Sequence, residues 1–146
     1  MVPNASEMGL LNQLLFKARQ RVRYPMPPAG APSSQGVYFL YHRDVVEAPF
    51  YVGKAESSGF HARLRKHYEK LKALAGAAKL EDGDFSYAWL ELRGDIPRAE
   101  NLLRWYFQPV FDRSGFGTKP GRGGVQKPSW MKLLNTFLVL ARTFDY

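Results

Sequence analysis

Cysteine is absent from the 146 residues, which excludes a disulfide framework and a thiolate-bound zinc site. Only three histidines occur, His42, His61 and His67, too few and too spread for an all-histidine metal centre. Long apolar runs are also missing. A stretch such as Phe137 to Ala141 is far too short to span a bilayer, and no apolar signal-peptide core opens the chain. The lack of cysteine suits a reducing compartment. The expectation is a soluble, cytoplasmic protein with no membrane partner.

What is present is an ordinary globular composition. Hydrophobic residues make up 45% of the chain and charged residues 23%, which excludes a mostly disordered chain and a collagen-like fibre. The length suits one domain with a real core. Charge is uneven. The net charge is +8, yet residues 81–112 hold seven acids against three bases, and residues 113–146 hold six bases against one acid. Basic flanks around one acidic stretch could attract a polyanion while keeping a carboxylate for chemistry or metal. A generic basic surface is the plainer account.

Periodicity predicts a helix from Ser6 to Gln20, with Leu10, Leu11, Leu14, Leu15 and Ala18 at helical spacing and Asn4 or Ser6 as its cap. Pro25, Pro27, Pro28, Gly30 and Pro32 then follow in quick succession, which no helix or central strand tolerates. Residues 1–35 therefore read as an N-terminal helix and proline-rich linker, and residues 36–146 as the main domain. That domain opens with two strands, Gly36 to Tyr41 and Phe50 to Gly53, close enough to form an antiparallel hairpin. A helix over Phe60 to Ala78, a strand over Asp84 to Leu92 and a helix from Pro97 to Phe107 follow. A glycine-rich basic loop spans Gly115 to Gly124, and an apolar segment from Trp130 to Leu140 closes the pattern. The fold class is α+β: a small three-stranded sheet containing antiparallel strands and flanked by helices, with an extra N-terminal helix and an apolar C-terminal segment.

Several polar residues sit where apolar ones would be expected. Tyr38 and Tyr51 lie on the two arms of the hairpin, and one register places both phenols on the same face. Tyrosines also simply favour strands. Arg63 and His67 are one helical turn apart and share a stripe with Leu71 and Leu74. A phosphate between helix and sheet would suit both, whereas Arg65, Lys66, Lys70 and Lys72 make a solvated basic face the alternative. Glu100 aligns with Leu103 and Phe107, and a carboxylate on an apolar stripe needs a cation or a donor. Mg²⁺ would serve, as would an intrahelical ion pair with Arg104. The glycine-rich loop offers backbone N–H groups together with Arg113, Lys119, Arg122 and Lys127. Its spacing is not that of a Walker loop.

In order, Gly36-Val37-Tyr38, Tyr51-Val52-Gly53 with Lys54 directly after, Arg63, His67 and Glu100 resemble the signature of the GIY-YIG nuclease superfamily over about residues 36–112. The stretch Gly115-Phe116-Gly117, Pro120-Gly121 and Ser129-Trp130 further resembles its type II restriction endonuclease branch. One departure stands out: Asp112 occupies the place of the family's asparagine. It keeps an oxygen acceptor and loses the amide donor, so it would serve as a second carboxylate beside the metal or mark reduced activity.

The resemblance implies metal-dependent hydrolysis of DNA phosphodiesters, with Tyr38, Tyr51, Arg63, His67 and Glu100 catalytic. Glu100 would hold Mg²⁺ (or Mn²⁺), Tyr38 would act as general base, and Arg63 would stabilise developing charge. Lys54 or His67 would lower the Tyr38 pKa, His67 would orient or relay a proton, and Tyr51 would position phosphate or water. DNA contacts would come from Lys54, Arg65, Arg113, Lys119, Arg122 and Lys127. Cutting both strands of a palindrome with one site per chain favours a homodimer. A repair, mobile-element or structure-specific nuclease of the same superfamily, and a nucleic-acid-binding module with impaired catalysis, are the alternatives. A small RNA-binding protein with aromatic stacking faces is a weaker one.

Overall fold

Side chains that alternate along three strands divide the molecule into two packed layers. The computed structural model describes residues 2–43, 47–75 and 84–107. Its elements run α1 (Ala5–Arg19), β1 (Tyr24–Pro25), β2 (Gly36–His42), β3 (Tyr51–Ala55), α2 (Gly59–Ala75), β4 (Phe85–Glu91) and α3 (Ile96–Phe107). The strands form one open antiparallel sheet in the order β1-β4-β2-β3. The protein is thus of the mixed α+β class, and the hairpin expected at the start of the main domain is β2–β3.

The fourth strand differs from the sequence expectation of three. Tyr24–Pro25 belongs to the proline-rich stretch but pairs with β4, with Tyr24 opposite Tyr87 and Pro25 opposite Ser86. Its position at the end of the sheet explains the tolerance, because a proline there leaves no central ladder bond unmade. The glycine at the start of β2 is required by its neighbours. Gly36 takes φ 151°, and a Cβ there would run into the Leu90 carbonyl oxygen on β4.

On one side of the sheet, Tyr38, Leu40, Tyr51, Tyr87 and Trp89 pack with Phe60, Leu64 and Leu71 of α2. On the other, Val37, Phe39, Val52, Ala88 and Leu90 pack with Leu11, Leu14 and Leu15 of α1 and with Ile96, Ala99, Leu102 and Leu103 of α3. The first 35 residues share these layers, since Met26 and Ala31 join the α2-side cluster.

Asn4 is the cap of α1: its side chain accepts from the Glu7 backbone N–H at 2.8 Å, and the Glu7 carboxylate accepts from the Asn4 N–H at 3.0 Å. This reciprocal arrangement satisfies two otherwise orphaned donors. Glu7 also approaches Arg98 of α3 at 3.9 Å, which ties the two helices at their exposed ends.

The helix expected over Phe60 to Ala78 is α2, its residues 76–78 lying outside the described residues. The glycine-rich loop and the apolar C-terminal segment lie outside them as well. Among the described residues, no helix is long and apolar enough to cross a membrane.

Candidate active site

The hairpin register brings the two tyrosines together. Tyr38 pairs with Gly53, and Tyr51 pairs with Leu40, so the phenols are diagonal neighbours on the α2 side with ring centroids 6.2 Å apart. Glycine at position 53 is what allows this. A Cβ there would lie 2.5 Å from Tyr38 Cζ, 2.6 Å from its hydroxyl and 2.9 Å from Tyr51 Cε2, so the Tyr38 ring occupies the space of the missing side chain.

His67 descends onto this pair from α2. Its ring centroid stands 5.5 Å from that of Tyr38 and 5.0 Å from that of Tyr51. The Tyr38 hydroxyl and His67 Nε2 are 2.7 Å apart, a buried hydrogen bond. With the tautomer that leaves Nε2 unprotonated, the phenol donates and the imidazole accepts. Tyr38, Tyr51 and His67 are all fully buried. The Tyr51 hydroxyl differs from that of Tyr38, because it finds no hydrogen-bond partner among the described residues. Leaving such a group unmatched costs about 1–3 kcal/mol. A hydroxyl kept beside a histidine at that expense has the character of one held ready for a ligand.

Arg63 lies one helical turn before His67 on α2 and is half-buried. It meets no carboxylate of the described residues. A half-buried guanidinium on the turn before His67 offers five donors in a fixed fork to an oxyanion.

Glu100 is 1% exposed on α3, the helix of the opposite layer. Just ahead of that helix, Asp95 takes φ 55°, a left-handed turn that a short polar side chain accommodates. Arg104, one turn on, places Nη1 3.9 Å from Glu100 Oε2. The intrahelical pair foreseen as an alternative is therefore present, although that separation is too long for a direct hydrogen bond between those two atoms. Among the described residues, no group of three histidine or acidic side chains gathers as a metal cage. Mg²⁺ needs no such cage. It binds through one or two carboxylates, with water and substrate phosphate oxygens filling its remaining positions, so a buried carboxylate of this kind fits the donor chemistry.

Lys54 is placed differently from the expectation that it sits beside Tyr38. It pairs with Val37 in the register, hence on the α1/α3 side, because side chains along a strand alternate. Its ammonium meets Glu56 at 3.1 Å. It therefore does not stand beside Tyr38, whose hydroxyl is bonded by His67. Arg65 is exposed on α2 and pairs with Glu69 at 3.5 Å. Asp112, Arg113, Lys119, Arg122 and Lys127 lie outside the described residues.

No role is assigned to Arg19, Arg21 or Arg23 from the sequence. Their alternation at every second position, leading into a strand, was the available signal. The Arg23 guanidinium lies 3.6 Å from the Tyr41 ring centroid. Burial pushes the Tyr41 phenol above its ordinary pKa of 10.0, with the charge and hydrogen bond of Arg23 opposing the rise.

No protein-family model matches the chain, and no curated protein matches it.

Proposed function

We propose that the protein is a metal-dependent DNA endonuclease of the GIY-YIG kind, hydrolysing phosphodiester bonds and working as a restriction-type enzyme. The observation that carries this reading is the buried Tyr38–His67 hydrogen bond, with the unmatched Tyr51 hydroxyl beside it. Apolar packing alone gives no reason to bury two phenols and an imidazole in mutual contact.

In this reading the Tyr38 proton passes to His67 Nε2, and the phenolate oxygen takes a proton from the attacking water. Its ordinary pKa of about 10 makes tyrosine a poor base at neutral pH, and the imidazole as proton acceptor offsets that weakness. The new P–O bond forms as the bond from phosphorus to the 3′-oxygen breaks. The leaving 3′-oxygen takes its proton from solvent water, and His67 releases to solvent the proton it received from Tyr38, which restores the starting site. Arg63 holds the non-bridging phosphoryl oxygens as charge grows on them, and Tyr51 donates to the phosphate. Glu100 would hold Mg²⁺ (or Mn²⁺), which when bound would neutralise charge on the phosphate and the leaving oxygen.

The cluster and Glu100 belong to opposite layers, but both α2 and α3 touch β3. As the end strand of the described sheet, β3 has an edge that both layers flank. In this reading the scissile phosphate would approach along that edge.

The test is incubation of purified protein with supercoiled plasmid and Mg²⁺ or Mn²⁺. Discrete nicked or linear products are expected. Glu100→Gln should retain DNA binding and lose cleavage about a thousandfold. Wild-type protein that binds DNA but leaves it intact with both metals would establish the non-catalytic binding module in place of this reading.

A further inference from the structure

The tyrosine of the end strand β1 lies on a stack of buried aromatic rings. Tyr24 is 40% exposed. Its ring stacks on Trp89 of β4, with centroids 5.4 Å apart and an interplanar angle of 24°, and tilts against Tyr87 at 5.9 Å. Trp89 and Tyr87 stack on each other in turn, 5.8 Å apart and 21° from parallel. Both are buried, so the exposed part of Tyr24 is turned away from them. The backbone beneath the ring is also held. Tyr24 and Pro25 pair with Tyr87 and Ser86, and the buried Met26 donates its N–H to the Phe85 carbonyl at 2.9 Å. A ring fixed in this way binds a ligand without the cost of ordering itself.

Arg21 stands beside the same stack. It is exposed, its guanidinium lies 5.0 Å from the Trp89 ring centroid, and it makes no ion pair among the described residues. The cation–π contact steadies that charge without neutralising it. The surrounding sequence favours an anionic partner, since Met8 to Arg43 holds five lysines and arginines and no acid. A flat aromatic face next to a guanidinium matches one nucleotide, with the base on the ring and the phosphate at the cation. Bases within a duplex already stack on both faces, so the fit is to an unpaired one. We infer that Tyr24 and Arg21 form a stacking platform for an unpaired nucleotide of single-stranded DNA. The inference takes DNA from the proposed function, while the platform rests on its own two residues. It is not the place of the scissile phosphate, which would approach along β3, the other end strand of the described sheet.

The experiment measures affinity for a labelled oligothymidylate and for a closed DNA hairpin duplex, each over a salt series in EDTA so that hydrolysis is silent. Tyr24→Leu keeps an apolar cover on Trp89 and removes the flat face. It should weaken oligothymidylate binding about tenfold at every salt concentration, with the slope of log K against log salt concentration unchanged. Tyr24→Phe keeps the face and should bind as wild type does. Arg21→Gln leaves the ring stack in place and should lower the slope by about 0.7, the share of one phosphate on a single strand. Hairpin affinity should be the same in wild type and Tyr24→Leu. The platform is overturned by a Tyr24→Leu variant with wild-type oligothymidylate affinity, or by one that loses hairpin affinity equally. An Arg21→Gln variant with the wild-type slope overturns it too, as does wild-type protein that does not bind the oligothymidylate at low salt. The two proposals fail separately. A Tyr24→Leu loss confined to the single strand, with no plasmid cleavage in Mg²⁺ or Mn²⁺, removes the hydrolytic reading and keeps the platform. Plasmid cleavage with unaltered oligothymidylate binding in Tyr24→Leu removes the platform alone.

Discussion

The two faces of the sheet are built from the same strands and differ sharply in chemistry. Toward α1 and α3, the strands present Val37, Phe39, Val52, Ala88 and Leu90, which meet leucines, an isoleucine and an alanine. Toward α2, they present Tyr38, Tyr51, Tyr87 and Trp89, with His67 buried among them. The first face can be accounted for by area removed from water, at roughly 25 cal/mol per Å². The second buries hydroxyls and an imidazole, whose desolvation works against folding unless each finds a partner. A small domain carries such a face because the other one is packed mainly by apolar side chains, with Glu100 of α3 as its buried charge. Polar groups retained against that cost are better explained by chemistry than by stability.

The contrast can be attacked most strongly at Tyr38. Tyr38→Phe removes the oxygen that bonds His67 and the base of the proposed reaction. Cleavage should fall by about 10²–10⁴-fold. Stability should fall by about 1–3 kcal/mol, because the buried imidazole loses a partner. Urea melts and plasmid cleavage on the same preparation separate the two losses. Near-wild-type cleavage, whatever the melt shows, would remove Tyr38 from the chemistry and leave the α2-side cluster a structural one.

Much of this arrangement is legible in the sequence, and the remainder is hidden for identifiable reasons. The hairpin shows itself because β-branched and aromatic runs are bounded by Gly36 and Gly53. The Arg63–His67 pair shows itself because four positions make one helical turn. The start of α1 shows itself in the polar pair Asn4 and Ser6, and the structure decides for Asn4 through its reciprocal bonds with Glu7. By contrast, the strand at Tyr24–Pro25 is concealed by its proline-rich surroundings, since two residues have no periodicity of their own. The side taken by Lys54 was readable from the period of two. Its sequence position directly after Gly53 suggests proximity to Tyr38, and the pleat denies it. The layer occupied by Glu100 depends on which way the chain crosses after β4, a long-range matter that local spacing does not encode.

Tyr51 offers a sharper version of the comparison, with a smaller effect. Its hydroxyl is as deeply buried as that of Tyr38 but lacks a hydrogen-bond partner among the described residues. Tyr51→Phe should therefore change unfolding free energy by less than about 0.5 kcal/mol or stabilise the protein slightly, since only an unmatched polar group is removed. Cleavage should still drop by about 10–100-fold, the worth of a hydrogen bond to a charged phosphate. The pair of tyrosines thus yields opposite stability signatures with activity losses in common. A stability loss above about 1 kcal/mol in Tyr51→Phe would mean that the hydroxyl has a structural role, and the argument that it awaits a ligand would be lost.

The smallest effect belongs to the apolar face and concerns alkaline pH. Tyr41 carries a phenol whose pKa in the fold lies above 10.0, chiefly because burial disfavours the phenolate, with Arg23 pulling the other way. The folded state therefore holds this proton more tightly than the unfolded chain. Its contribution is complete below the unfolded pKa of about 10 and is lost as pH rises through the higher folded value. Wild-type stability should decline between about pH 9 and about pH 11, and Tyr41→Phe should decline less steeply over the same interval. Part of the decline should persist in the variant, because burial also raises the pKa of Tyr87 on the opposite face. Urea melts at both pH values provide the readout. Identical pH dependence in wild type and variant would show that Arg23, 3.6 Å from the Tyr41 ring centroid, offsets the burial in full. The alkaline sensitivity would then belong to the α2 side alone.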